Sequence, residues 1–371
     1  MTRREFIRVL ELGGIAGAGA LLAPACAAGT SAVRDSKPIG GPLGPDEERI
    51  LAHAALAPSS HNVQPWAVRI VDRRRWTVGV DPGRRLPAID PAGREELLSV
   101  GAFVETLAAA AADLGLAAEI GRVATSRDEA DLLALELVPA APGDGANLRR
   151  IRLRRTLRRG YRADAIRPRD LDALVRALGG AAAWFPAGTP GAAWLADAEI
   201  EAFRRQTWRD DAQQELSRWL RFSDREVARH GDGLTPASIE AGAMARLLMR
   251  HFMDRGAVLT RSFREAGIEL AAEQVKQGAG WLVATAPDEG VASLLDAGRR
   301  FARMALLLRE LGLAAHPMSQ VLEEEPWRSD VMKSLRLSGV PQFALRVGQV
   351  ADQPDPVSPR RAQAAFARVA G

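Results

Sequence analysis

Gly101 and Gly298 open two stretches with the same layout. Each is followed fourteen residues later by one run, Gly115-Leu116-Ala117-Ala118 and Gly312-Leu313-Ala314-Ala315. The residues between, "AFVETLAAAAADL" and "RRFARMALLLREL", contain no proline or glycine and are strong helix formers. Gly115 and Gly312 stand where a helix C-cap glycine belongs. Apolar residues on almost every side of the first helix predict that it is buried. A strand opened by tryptophan precedes each helix (Trp66–Val71, Trp281–Ala286), and another strand candidate follows (Leu132–Val138, Phe343–Val347). Chance is the rival account, since Gly-Leu-Ala-Ala is common in an alanine-rich chain. Equal spacing and equal element order favour duplication. Two related halves can pack about a pseudo-twofold axis, as the subunits of a homodimer do, and a site between them draws side chains from both. A chain of 371 residues has room for two such halves.

Two polar stretches stand out against that frame. In "APSSHNVQPWAVRIV" the residues Ser59, Ser60, His61, Asn62 and Gln64 arrive together between Pro58 and Pro65. The prolines disfavour helix and stiffen a loop aimed by the strand that follows. A self-capping turn is the plain alternative for any one of these residues; five together favour a ligand loop. The second stretch, Arg149–Arg169, holds ten arginines in twenty-one residues. If Leu153–Tyr161 is helical, Arg154/Arg158 and Arg155/Arg159 repel at i, i+4, and an anion is needed to offset them. Guanidinium forks suit phosphate, while a solvated linker is the other reading. The polar, helix-like stretch 199–256, with Trp208, Trp219 and Phe222, fits neither half. It reads either as a lid over a site or as a surface hairpin.

"PSSHNVQPW" resembles the serine–asparagine loop of the nitroreductase superfamily, and "RRTLRRGY" resembles the arginine-rich element with which that family grips FMN phosphate. The order of the two elements is inverted here relative to ordinary nitroreductases. That departure agrees with a fused pair that keeps one composite site, similar to the Acg-like branch. The resemblance spans nearly all of Gly44–Arg361. It implies an α+β fold of two nitroreductase-like halves, about 44–145 and 146–371, forming a pseudo-dimer with a helical lid insertion. One FMN would lie between the halves. Arg154, Arg155, Thr156 and Arg158 would surround its phosphate, ribityl and pyrimidine edge, with Arg158 as the cation near N1/O2. Ser59, Ser60, Asn62 and Gln64 would reach it from the other half. Pro317, Met318, Ser319 and Gln320 match the segment passing the flavin N5, and Arg360 and Arg361 match the basic residues completing the phosphate cradle. No side chain is expected to act as nucleophile or base, because the flavin carries the chemistry.

The resemblance implies reduction of a small nitro- or quinone-type acceptor by ping-pong hydride transfer. The alternative is a protein that holds FMN under a closed lid with little turnover. Thr2–Arg8 followed by the apolar run Leu12–Ala23 resembles a twin-arginine signal peptide over about 1–28. Export by the twin-arginine translocase is therefore expected, to the periplasm or to a membrane anchor if Cys26 is lipidated. The electrons would then come from a membrane or protein donor. A formal charge of only +4, with three lysines, argues against a nucleic-acid-binding face. Cys26 is the only cysteine, so an intramolecular disulfide is excluded. There is no GxSxG elbow, Walker loop or HExxH spacing.

Overall fold

The computed structural model describes residues 39–370; the segment expected to be a twin-arginine leader, about 1–28, and Cys26 lie outside them. Pro45 sits in the first turn of α1 (Pro45–Ala54), where its missing N–H has no cost. The Ser59–Trp66 loop then feeds β1 (Trp66–Ile70), which turns back into β2 (Arg75–Val80). Next come α2 (Arg94–Asp113), β3 (Leu116–Val123) and β4 (Leu133–Pro139). After α3 (Ala146–Leu153) and α4 (Pro168–Ala177), β5 (Ala182–Pro186) leads into an all-helical stretch.

That stretch comprises α5 (Pro190–Trp208), α6 (Asp210–Trp219), α7 (Asp224–His230), α8 (Ala243–Phe252), α9 (Arg255–Val258) and α10 (Arg261–Gln274). Local chemistry starts these helices. Thr189 and Thr260 accept the capping N–H bonds of α5 and α10, and Ser223 and Glu226 form a reciprocal capping box on α7. Then follow β6 (Gly280–Ala286), α11 (Val291–Leu307), β7 (Leu313–Pro317), α12 (Trp327–Leu335), β8 (Val340–Gln349) and β9 (Ala367–Val369).

The two sheets have one topology. The first runs β3-β4-β2-β1-β9 and the second β5-β6-β8-β7. All pairings are antiparallel except β9 on β1, which is parallel. In each sheet the second and fourth strands are central, and the long helix connects the second to the third. The tryptophan-led strand Trp281–Ala286 therefore corresponds by position to β2, which carries Trp76, rather than to Trp66–Val71. The Gly-Leu-Ala-Ala runs mark helix-to-strand junctions, because Leu116 opens β3 and Leu313 opens β7.

α2 and α11 begin before Gly101 and Gly298, leaving both glycines inside the helices, where they mark a crossing. A Cβ on Gly101 would stand 2.1 Å from the Leu295 carbonyl oxygen, and one on Gly298 would stand 2.0 Å from that of Leu98. The contact is reciprocal: each glycine receives the backbone three residues ahead of the other. Around this crossing one hydrophobic core takes in both sheets, from Ile50, Trp66 and Phe103 to Leu282, Phe301 and Val347.

Candidate functional site

The loop expected to hold a ligand is strained. His61, Asn62 and Gln64 have φ of 46°, 53° and 54°, left-handed values that side chains disfavour. Strain of this kind persists where the surroundings over-determine it, and it clusters at functional sites. The restraints here come from far along the chain. Asn62 donates to the carbonyls of Gly233 and Pro359, each at 3.1 Å, and accepts from Arg360 Nη1 at 3.0 Å. Gln64 Nε2 donates to Gly231 O at 2.9 Å, and Gln64 Oε1 accepts from Arg361 N–H at 3.0 Å. Ser59 Oγ accepts from Gln64 N–H, and Ser60 Oγ donates to Glu95.

The arginine-rich element is not helical where helix was considered. α3 stops at Leu153, and the chain runs extended from Arg154, which removes the i, i+4 repulsion. The charges converge in another way. Arg154 Nη2 and Arg360 Nη2 both donate to Leu56 O, at 3.0 and 3.2 Å. Neither forms an ion pair among the described residues, and Arg360 Nε is buried without a partner. Burial pushes the Arg154 guanidinium down to about 10. Burial and the neighbouring Arg154 charge push Arg360 down to about 9. Two half-buried like charges this close, without a carboxylate, repel each other and favour an anion between them. Arg155 instead pairs with Glu240 at 3.2 Å, whose carboxylate also receives the Arg158 and Arg159 N–H groups at 2.8 and 3.0 Å. Arg158 Nη1 donates to Ser238 O at 2.7 Å.

These groups border a cavity of about 430 Å³. Twelve of the fourteen expected site residues line it: Ser59, Ser60, Asn62, Arg154, Arg155, Thr156, Arg158, Pro317, Met318, Ser319, Gln320 and Arg360. Gln64 and Arg361 do not. They lie behind the wall, where Arg361 donates to Gln64 O at 2.8 Å and pairs with Asp81 at 3.2 Å. Their chemistry is that of a brace for the loop.

The insertion does face the cavity, through residues other than those expected. Trp208 is 44% exposed under Arg264, Trp219 packs with Val63, Leu86 and Ile89, and Phe222 lies in a separate cluster; none of the three lines the cavity. Phe203, Gln206, Leu216, Leu220 and Ile239 do so instead. The lining also includes groups that sequence reasoning missed. Glu323 accepts from Gln206 Nε2 at 2.7 Å, and burial, reinforced by the Glu95 carboxylate, pushes it up to about 8. Nothing in the sequence marks either acid. His316 Nδ1 lies 3.2 Å from Arg346 Nη2, which can only donate, so the proton of the neutral ring is on Nε2. Burial and the Arg158 and Arg346 charges hold its pKa well below the usual histidine value.

No protein-family model matches the chain. It is 26% identical over 326 residues to "Probable NAD(P)H nitroreductase PigM" of Serratia sp., covering 83% of this chain and 89% of that protein. It is 28% identical over 326 residues to the Mycobacterium tuberculosis protein Rv3131, covering 85% and 89%, and 27% identical over 320 residues to acg of the same species, covering 83% and 91%. Both carry provisional NAD(P)H nitroreductase names. Among solved structures, the FMN-dependent nitroreductase NfnB of Mycobacterium smegmatis aligns at a TM-score of 0.39 and 16% identity, over 61% of this chain and 98% of that one. That likeness adds nothing to the sequence similarity. Along most of its length, the chain is similar to proteins named NAD(P)H nitroreductases.

Proposed function

We propose that the protein is an FMN-dependent oxidoreductase of the nitroreductase type, reducing nitro- or quinone-like acceptors in alternating half-reactions. The observation that carries this reading is the Arg154–Arg360 pair, two half-buried guanidiniums on one carbonyl with no acid paired to them among the described residues. A phosphate monoester fits that need. Thr156, Ser59, Ser60 and Asn62 line the same cavity and would meet hydroxyls and ring edges, while Phe301, Phe343 and Met318 would offer apolar surface to a planar ring. Bound there, FMN supplies the hydride transfer between donor and acceptor. Around it the chain holds Arg158 as a fixed cation and His316 Nε2–H as a neutral donor, and Phe203, Leu216 and Ile239 limit water. Two related halves sharing one composite site account for the common strand order and the reciprocal glycine crossing.

Purified protein should be yellow and release FMN on heating. Replacing Arg154 and Arg360 by alanine removes charge-assisted bonds of about 1.5–3 kcal/mol each and should leave the protein largely colourless. Full occupancy in that double variant would overturn the phosphate assignment.

A second reading, an FMN-holding protein with little turnover, is favoured by one feature: the insertion supplies a whole wall of the cavity. Export through the twin-arginine route and a membrane-side electron donor belong to the same proposal. Under the closed-lid reading NADPH reduces the intact protein slowly. Anaerobic stopped-flow mixing tests this, and bleaching at about ten per second or faster, typical of a working enzyme, would defeat the closed-lid reading.

A further inference from the structure

The outer surface of the insertion carries an apolar row that the cavity does not use. On α8, Met244, Leu247 and Phe252 are 55%, 51% and 78% exposed. Met244, Leu247 and the exposed His251 share one helical stripe, and Phe252 lies at its edge. Arg246 and Arg250 flank the row, and Arg255 follows in α9. Between 243 and 261 stand four arginines and one acid, Asp254, whose carboxylate is engaged in capping Ala257 N–H at 2.9 Å. Arg250 meets Asp224 at 2.9 Å, but both are more than half exposed, so the pair is weak and open to exchange.

The other side of α8 is anchored. Ala245 and Met249 are buried in a small core of their own with Leu220, Phe222 and Val258. Leu216, Leu234 and Ile239 pack against that core and also line the cavity. α8 is thus the outer skin of the wall that closes the site.

We propose that the exposed face of α8, Met244, Leu247 and Phe252 flanked by Arg246, Arg250 and Arg255, docks the protein on an anionic lipid bilayer. Three observations favour lipid over a protein partner. A ten-residue helix is about 15 Å long, and one side of it falls well short of the roughly 800 Å² per partner in a stable protein interface. No residue of α8 lines the cavity, so its exposed side is a helix face rather than the mouth of that pocket. Long apolar side chains bordered by arginines match the boundary between acyl chains and anionic headgroups, where such helices lie in the plane of the membrane. None of the described helices is long and apolar enough to cross a bilayer, so this contact is interfacial.

The inference does not rest on the proposed activity, and its test needs no turnover. The full chain is mixed with phosphatidylcholine vesicles, with and without phosphatidylglycerol, and sedimented. Wild-type protein should bind the phosphatidylglycerol vesicles at least about tenfold better, and high salt should release it. Met244→Ser/Leu247→Ser/Phe252→Ser and Arg246→Glu/Arg250→Glu/Arg255→Glu should each lower binding about tenfold, with thermal melts unchanged because these side chains are exposed. Phe252→Trp provides a milder probe, in which brominated lipid should quench fluorescence beyond the wild-type background. Absence of phosphatidylglycerol-dependent binding, equal binding by the serine variant, or no added quenching would overturn the proposal. So would a concentration-dependent dimer lost in the serine variant, which would make a second copy the occupant.

Discussion

Glu323 shows how an ordinary-looking residue gains a property from its surroundings. Its carboxyl meets the neutral Gln206 amide and faces Glu95, with Arg94 and Asp90 farther off. Its folded pKa of about 8 lies above the ordinary 4.5, so between those values the folded protein holds a proton that the unfolded chain releases. Stability contributed by that proton is present below pH 4.5 and falls as pH rises through 8. Glu323→Gln should therefore flatten the decline in Tm across that window; an unchanged decline would place the titration elsewhere. The residues that sequence could identify were those whose chemistry is concentrated locally, such as Ser59–Asn62 between prolines and Arg154–Arg158 among arginines. Glu95, Gln206 and Glu323 look like any helix or turn residues, because only the packing of three distant segments makes them neighbours. Gln64 and Arg361 were legible as special but not as braces, since a loop's supports have the same residue types as its ligand contacts.

At the level of elements, the two long helices and the strands β4 and β8 are legible in the sequence, whereas β3 and β7, directly after the helices, are not. "LAAEIGRV" is rich in alanine and carries Glu119 and Gly121, so its strand character comes from pairing with β4 rather than from propensity. The glycines inside the helices were read as boundaries, whereas the structure uses them as the points where α2 and α11 touch. A methyl group at either point meets backbone, which cannot swing aside as a side chain can. Gly298→Ala should cost about 1–3 kcal/mol, seen as a lower Tm. Because Gly101→Ala strains the same crossing, the double variant should cost less than the sum of the two. Strict additivity would show that the helices do not share one contact.

For the molecule as a whole, the repeated Gly-Leu-Ala-Ala layout is legible in the sequence, but the strand at Trp281 matches β2 rather than β1, because the tryptophans at 66, 76 and 281 cannot be ranked without the sheet order. The tail was also underestimated. β9 leaves the later sheet's side of the chain and pairs with β1, bringing Arg360 and Arg361 against the Ser59–Trp66 loop. Removing residues 356–371 should abolish FMN retention, read from the absorbance of the purified protein, while helical content stays largely intact. A truncated protein that remained yellow would separate the tail from the site.

That same contact sets the timing of assembly. Asn62 and Pro359, which bond directly, are separated by 297 positions. A closure of that span is among the slowest steps open to a chain, since a large loop must be ordered before its ends gain anything. During synthesis the Ser59–Gln64 loop precedes its braces, since Gly231, Gly233 and Pro359–Arg361 must all follow before its left-handed backbone is held. The wall of the candidate cavity is thus complete only once residues that lie 297 positions apart have both been made and have met.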